Sequence, residues 1–261
     1  MKLEVKDVSC GFGADAIVQR FVNFSVESGE ICCVLGPNGC GKSTLFKSVL
    51  GLLPLQGGRI LVDGQDIARW SAKRLADTMS YVAQTHTPPF PYQVKDVVLL
   101  GRISKIGYMA QPTPTDYRIA EDSMKDMGIY HLRNKVYTEI SGGELQLAMI
   151  ARALCQKPRV LVLDEPTAAL DYGNVVRVIE KVRSLAAKGL AVIMTTHSPD
   201  HAFMCNSNVV LLQRDATAKF GRALDVITER NMQQAYGVNV KVVEFVGENG
   251  EVMRMCAPMF S

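Results

Sequence analysis

The chain has 261 residues, 48% hydrophobic and 21% charged, with 21 glycines and 11 prolines, enough apolar material for a buried core and a composition that excludes disorder, collagen and coiled coil. A formal net charge of +3 is too near neutral to support nucleic-acid binding on charge alone. Seven scattered cysteines without a C-x-x-C pair argue against a zinc or disulfide framework and for a reducing compartment.

No stretch approaches the ~20 apolar residues of a bilayer span, and the charged opening is no signal sequence, so a soluble cytosolic chain is expected. Residues 3–8 and 21–26 alternate apolar and polar side chains, the period of antiparallel strands with one wet face. Residues 30–35 form a continuous apolar run, as in a parallel strand covered on both faces, with Cys32 and Cys33 as small core residues. Helical spacing follows over 44–53, and 57–64 reads as a strand ending in a turn.

From about residue 84 to 156 prolines separate helical stretches, which predicts an inserted helical lobe. Residues 159–164 and 190–196 are two further buried strands, separated by a helix over 174–187. Strands alternating with helices imply a parallel α/β sheet. Beyond about residue 214, glycines and short Val-rich runs carry no interpretable motif, and no internal repeat is present.

Gly36-Pro37-Asn38-Gly39-Cys40-Gly41-Lys42-Ser43-Thr44 fits G-x-x-x-x-G-K-[ST] between a buried strand and a helix. Its glycines let backbone N–H groups curl around phosphates, and the helix start adds its positive dipole end. Lys42 is expected to reach the β- and γ-phosphates of a nucleotide, and Ser43 to ligate Mg²⁺. Helix-end amides and Lys42 are expected to depress the thiol of Cys40.

The strand over 160–163 delivers Asp164 and Glu165 to its carboxyl end, where open α/β sheets bind ligands. Asp164 is placed to hold the Mg²⁺ water shell and Glu165 to polarise the water attacking the γ-phosphate. His197 likewise ends its strand and can contact the γ-phosphate; His86, His131 and His201 are left unassigned.

With these residues in place, the chain resembles the nucleotide-binding subunit of ATP-binding-cassette (ABC) transporters from about residue 3 to 212. Ile140-Ser141-Gly142-Gly143-Glu144-Leu145-Gln146 is similar to that family's L-S-G-G-Q signature, with Glu144 in place of Gln. Ser141 and Glu144 also form an S-x-x-E capping box ahead of a helix, leaving glycine amides free to meet an anion. The resemblance implies that Ser141, Gly142, Gly143 and Glu144 contact ATP held by a partner subunit, in a head-to-tail homodimer. It further implies Gln84 as a γ-phosphate sensor and Mg²⁺ ligand, Asp171 as a dimer contact at the partner's ATP, His197 as the switch histidine, and Phe12 as the aromatic stacked on adenine.

Residues 89–102 resemble the segment after the sensing glutamine in importers of iron-siderophore, haem and cobalamin complexes, and of molybdate or tungstate. The implied fold is α/β, a P-loop (RecA-like) parallel sheet core with an antiparallel β subdomain and an inserted α-helical subdomain. A single ABC ATPase domain over 1–261 is expected, with 1–83 as antiparallel sheet and first part of the core, 84–156 helical, 157–213 the rest of the core, and 214–261 a tail. The implied function is ATP hydrolysis, with ATP and Mg²⁺, at the cytoplasmic face of the inner membrane beside two permease subunits, served indirectly by an extracytoplasmic binding protein. The alternative is a soluble ABC ATPase without a permease, in iron-sulfur assembly or nucleic-acid work; one cassette and no basic stripe weigh against the latter.

Overall fold

A computed structural model describes residues 1–11, 17–84, 91–106, 110–248 and 250–259. Its elements in chain order are β1 Lys2–Gly11, β2 Ile17–Glu27, β3 Ile31–Leu35, α1 Lys42–Val49, β4 Gly57–Val62, β5 Gln65–Asp66, α2 Ala72–Thr78, β6 Met79–Val82, α3 Val94–Leu99, α4 Pro114–Met127 and α5 Gly142–Leu154. There follow β7 Val160–Leu163, α6 Tyr172–Ala187, β8 Ala191–Thr195, α7 Pro199–Met204, β9 Asn208–Leu212, β10 Ala218–Arg222, α8 Ala223–Val226, α9 Glu229–Tyr236, β11 Val240–Val246 and β12 Val252–Pro258. The chain divides into two compact units, Met1–Arg69 with Ala186–Ser261, and Trp70–Leu185.

In the first unit β1 pairs antiparallel with β2 and with β4, and β5 extends that sheet. β1 runs three residues past the alternating segment 3–8, because register shifts around Val8 and Cys10 turn Val8, Ser9 and Cys10 all inward. A bulge abolishes the period of two that a sequence reading depends on. β3 lies parallel to both β8 and β9, and β10 closes antiparallel on β9. Every residue of β3 and β8 is buried, Cys32 and Cys33 among them, as continuous apolar runs in a parallel sheet require.

The tail is more ordered than its composition suggests. α8 and α9 follow β10, and β11 and β12 form a separate antiparallel hairpin. Within it Thr228 caps α9 by accepting from the Asn231 amide, and Gly237 ends the helix in the left-handed conformation.

The second unit holds the parallel pair β6 and β7 and the mutually packed helices α3, α4 and α5. Thr113 and Asp116 cap α4 reciprocally, with Pro114 in its first turn. Arg102 Nε donates to Asp116 Oδ1 at 2.8 Å and its Nη1 to the Cys155 carbonyl at 2.8 Å, joining α4 to the end of α5. Asp116 Oδ2 accepts from Thr113 Oγ1 at 2.6 Å and from the Thr113 amide at 2.9 Å. The Thr113 hydroxyl and the Arg102 guanidinium hold the Asp116 carboxyl down at about 2.

A carboxyl whose folded pKa lies below its unfolded value of 3.8 contributes stability that is complete above that value and is lost as pH falls toward about 2. Asp116→Asn is therefore expected to lower Tm by a few degrees at neutral pH, with the difference from wild type shrinking as pH drops from about 4 toward 2. Thermal melts across that range measure it.

Candidate functional site

In the first unit β3 ends at Leu35 and the chain turns through residues 36–41 into α1, with Gly41 as N-cap at φ 101°. A Cβ on Gly41 would stand 2.6 Å from Val18 Cγ1, so backbone conformation and crowding by β2 both demand glycine there. Lys42 is only 6% exposed, yet a buried ammonium must be satisfied. Its Nζ donates to the Gly36 carbonyl at 2.8 Å and to the Pro37 carbonyl at 3.1 Å. Pro37 and Thr44 are buried, whereas Asn38, Gly39 and Ser43 are exposed at the loop's rim.

Two residues missed by motif reading brace this loop. Gln19, fully buried on β2, donates from Nε2 to the Cys40 carbonyl at 2.7 Å and the Gln213 carbonyl at 3.2 Å. The Gly36 amide donates to Tyr236 Oη at the end of α9, at 2.8 Å. A glutamine at an inward strand position was a readable signal; nothing local marks a tyrosine 200 residues from its partner.

The expectation of a depressed Cys40 thiol is corrected. Burial raises it above its ordinary value, and Lys42 and the loop amides only reduce that rise. His197 follows the end of β8 and is exposed. Beside it Ser198 N donates to Thr196 Oγ1 at 3.1 Å, and that hydroxyl lies 2.6 Å from His201 Nδ1. Burial depresses His201, which favours its neutral form. Phe12, expected to stack on adenine, and Pro89 and Phe90 of the segment following Gln84 lie outside the described residues.

In the second unit Asp164, 5% exposed, directly follows β7, and Glu165 comes next with φ 49°. Left-handed backbone at a residue with a side chain costs about 1–2 kcal/mol, and Pro166 next to it narrows the choice further. Such strain concentrates at functional positions. Gln84, two residues beyond β6, donates from Nε2 to Glu165 Oε2 at 2.6 Å. Tyr81 on β6 donates its hydroxyl to Asp164 Oδ2 at 3.1 Å. Burial, then the Asp164 charge, push the Tyr81 hydroxyl far up, so it stays a donor. The parallel register pairs Tyr81 with Val162 and Val82 with Leu163, which brings the two acids and their partners to the same strand ends.

α5 begins at Gly142, with Ser141 as its cap. Ser141 Oγ accepts from the Glu144 amide at 3.4 Å, and Glu144 Oε2 accepts from Ser141 N at 2.8 Å and from its hydroxyl at 2.9 Å. The Glu144 carboxylate is thus folded back onto the cap, and the Ser141 amide heads the causes that lower its pKa. A Cβ on Gly143 would fall 2.3 Å from Asn174 Oδ1, so α5 approaches α6 as closely as a bare backbone allows. Asp171 in turn holds Asn174, accepting from its amide at 2.9 Å and from its Nδ2 at 2.6 Å. Ser141, Gly142, Gly143 and Asp171 therefore belong to one locally braced cluster.

A family model described as ABC transporter matches residues 20–168. The chain belongs to the ABC transporter family. Among the most similar relatives, the molybdate import ATP-binding protein MolC of Haemophilus influenzae is 33% identical, over 88% of this chain and 86% of its own. The hemin import ATP-binding protein HmuV of Hahella chejuensis is 32% identical, over 85% of this chain and 88% of its own. A solved structure described as an ABC transporter of metal-chelate type, in an inward-facing conformation, superposes with a TM-score of 0.87 at 30% identity, covering 99% of this chain and 97% of that one. As an ABC transporter ATPase this chain binds and hydrolyses ATP.

Gly41→Ala is expected to weaken ATP binding by about tenfold or more, since the added methyl collides with Val18 and forces the loop off its path. Titration with a fluorescent ATP analogue, with circular dichroism to verify folding, measures this.

Proposed function

We propose that this ABC ATPase is the energy-coupling subunit of a membrane importer for a metal complex or metal oxyanion, of the iron-siderophore, haem, cobalamin or molybdate/tungstate class. The observation that carries the reading is the 0.87 TM-score, across nearly the whole chain, to a transporter described as of metal-chelate type. Relatives named for molybdate and hemin import support it. Among the described residues no helix is long and apolar enough to cross a membrane. In this reading the chain sits at the cytoplasmic face of the inner membrane, held by permease subunits, in keeping with relatives named as import ATP-binding proteins. Exposed Tyr92, Leu100, Ile103 and Tyr117 around α3 and α4 are apolar surface of the kind that receives such a partner.

In this reading Lys42 neutralises the β- and γ-phosphates while loop amides hold them. Glu165 accepts a proton from the attacking water, and Gln84, hydrogen-bonded to Glu165, reports γ-phosphate occupancy. His197 donates toward the γ-phosphate. The hydroxyl of Ser43 in the first unit, and the carboxylate of Asp164 and the amide oxygen of Gln84 in the second, are hard oxygen donors of the kind Mg²⁺ takes while keeping several waters. Held by such donors, Mg²⁺ would neutralise charge on the phosphates, and Tyr81 would keep the Asp164 carboxylate turned for it.

Two copies would close head to tail, each offering Ser141, Gly142, Gly143 and Asp171 to the partner's ATP. The substitution of Glu144 for Gln is compatible with this, because its carboxylate is engaged with Ser141. Closure on two ATP molecules would impose one conformation on the permease, and hydrolysis would release it.

Glu165→Gln is expected to abolish turnover, by about a hundredfold or more, while ATP binding persists and a dimer accumulates in size-exclusion chromatography with light scattering. The transport reading is tested by the ATPase rate of the chain alone and with its co-purifying permease in nanodiscs. Stimulation by a multi-spanning partner supports an importer or exporter complex, and uptake into proteoliposomes with the binding protein fixes the direction. A rate indifferent to membrane partners but raised by soluble iron-sulfur scaffold proteins or nucleic acid overturns the transport claim.

A further inference from the structure

We propose that Tyr236 is a positioning residue for ATP binding, and that the C-terminal segment carrying it is part of the nucleotide machinery. The inference rests on the reading that the phosphate loop of residues 36–44 holds ATP.

Gly36 is the loop's entrance, buried where β3 leaves the sheet, with the Leu212 carbonyl oxygen only 2.9 Å from where its Cβ would be. Its two flanking peptide groups are held separately. The amide on the β3 side donates to Tyr236 Oη at 2.8 Å, and the carbonyl on the loop side accepts from Lys42 Nζ at 2.8 Å. Lys42 belongs to the motif; Tyr236 does not. Loss of the tyrosine hydroxyl would leave a buried amide unpaired and free the first peptide plane to rotate. A loop that binds through several aligned N–H groups would then have to order more of itself on binding, which weakens affinity and leaves bond breaking untouched.

The tyrosine is not a loose end of chain. Lys219 on β10 donates to Asn231 Oδ1 at 2.6 Å and to Gln234 Oε1 at 3.0 Å, fixing α9 at positions five and two residues ahead of its last residue. Asn231 Nδ2 donates to the Val226 carbonyl at 2.8 Å. Farther along, the Cys256 amide on β12 donates to Asp200 Oδ1 at 2.7 Å, on the helix that follows His197. The segment after β10 thus grips both the phosphate loop and the helix behind the proposed switch histidine. Burial pushes the Tyr236 hydroxyl up to about 12, so it remains neutral and protonated near neutrality.

The test uses the full chain. Tyr236→Phe keeps the ring and removes only the acceptor. In a Glu165→Gln background, calorimetric titration with MgATP is expected to give a Kd raised about three- to tenfold. In the wild-type background KM rises by the same factor while kcat stays within about twofold, and the factor is flat from pH 6 to 9. Val62→Ala, a buried change on β4 outside this segment, serves as the stability control and is expected to lower Tm without moving KM. An unchanged Kd for Tyr236→Phe overturns the proposal, as does a KM shift that Val62→Ala reproduces at equal loss of Tm. If the Glu165→Gln parent itself binds no ATP, the reading of the loop falls and takes this inference with it.

Discussion

A buried ammonium surrounded by backbone is the constraint on which the first unit turns. Lys42 is held inside its loop by two carbonyls of that same loop, and the loop can pass so close to β2 only because Gly41 has no side chain. β3 must therefore end where it does, between β8 and β9, with α1 starting at once behind it. Polar groups of neighbouring segments complete the cradle: the Gln19 amide at Cys40 and the Tyr236 hydroxyl at Gly36. A phosphate-binding loop needs many N–H groups aimed one way, which an isolated chain resists entropically. Here packing and these fixed partners hold the conformation ready.

The second unit meets a different demand with similar means. Its two adjacent acids stand at the ends of a short parallel pair, and each has its own partner from β6 or just beyond, Tyr81 for Asp164 and Gln84 for Glu165. The glutamine is exposed and the tyrosine half-buried. At the start of α5 a capping box engages the Glu144 carboxylate, and Asn174 presses against Gly143. The Asp171–Asn174 pair fixes that neighbour in place.

Much of this was legible in the sequence, for reasons tied to particular residues. The glycine and lysine spacing of residues 36–44, the buried runs before Gly36 and Asp164, and the S-x-x-E pattern at Ser141 each encode a local requirement within a few residues of chain. The reading went astray where a local rule met a competing term. Bulges hid the length of β1, and desolvation outweighed Lys42 and the helix-end amides at Cys40. The tail looked featureless because short helices and a two-stranded hairpin leave weak periodicity.

The sequence by itself determined the family, the phosphate loop, the acid pair and the capped signature helix, since each is specified by neighbours in the chain and by backbone geometry that those neighbours impose. Only the tertiary structure decided which side chains hold those groups in position: Gln19 and Tyr236 at the loop, Tyr81 at Asp164, Asn174 at Gly143. Such contacts join segments from 21 to 200 residues apart. A hydrogen bond across that separation depends on how whole strands and helices pack, and it leaves no period or spacing from which it could be read.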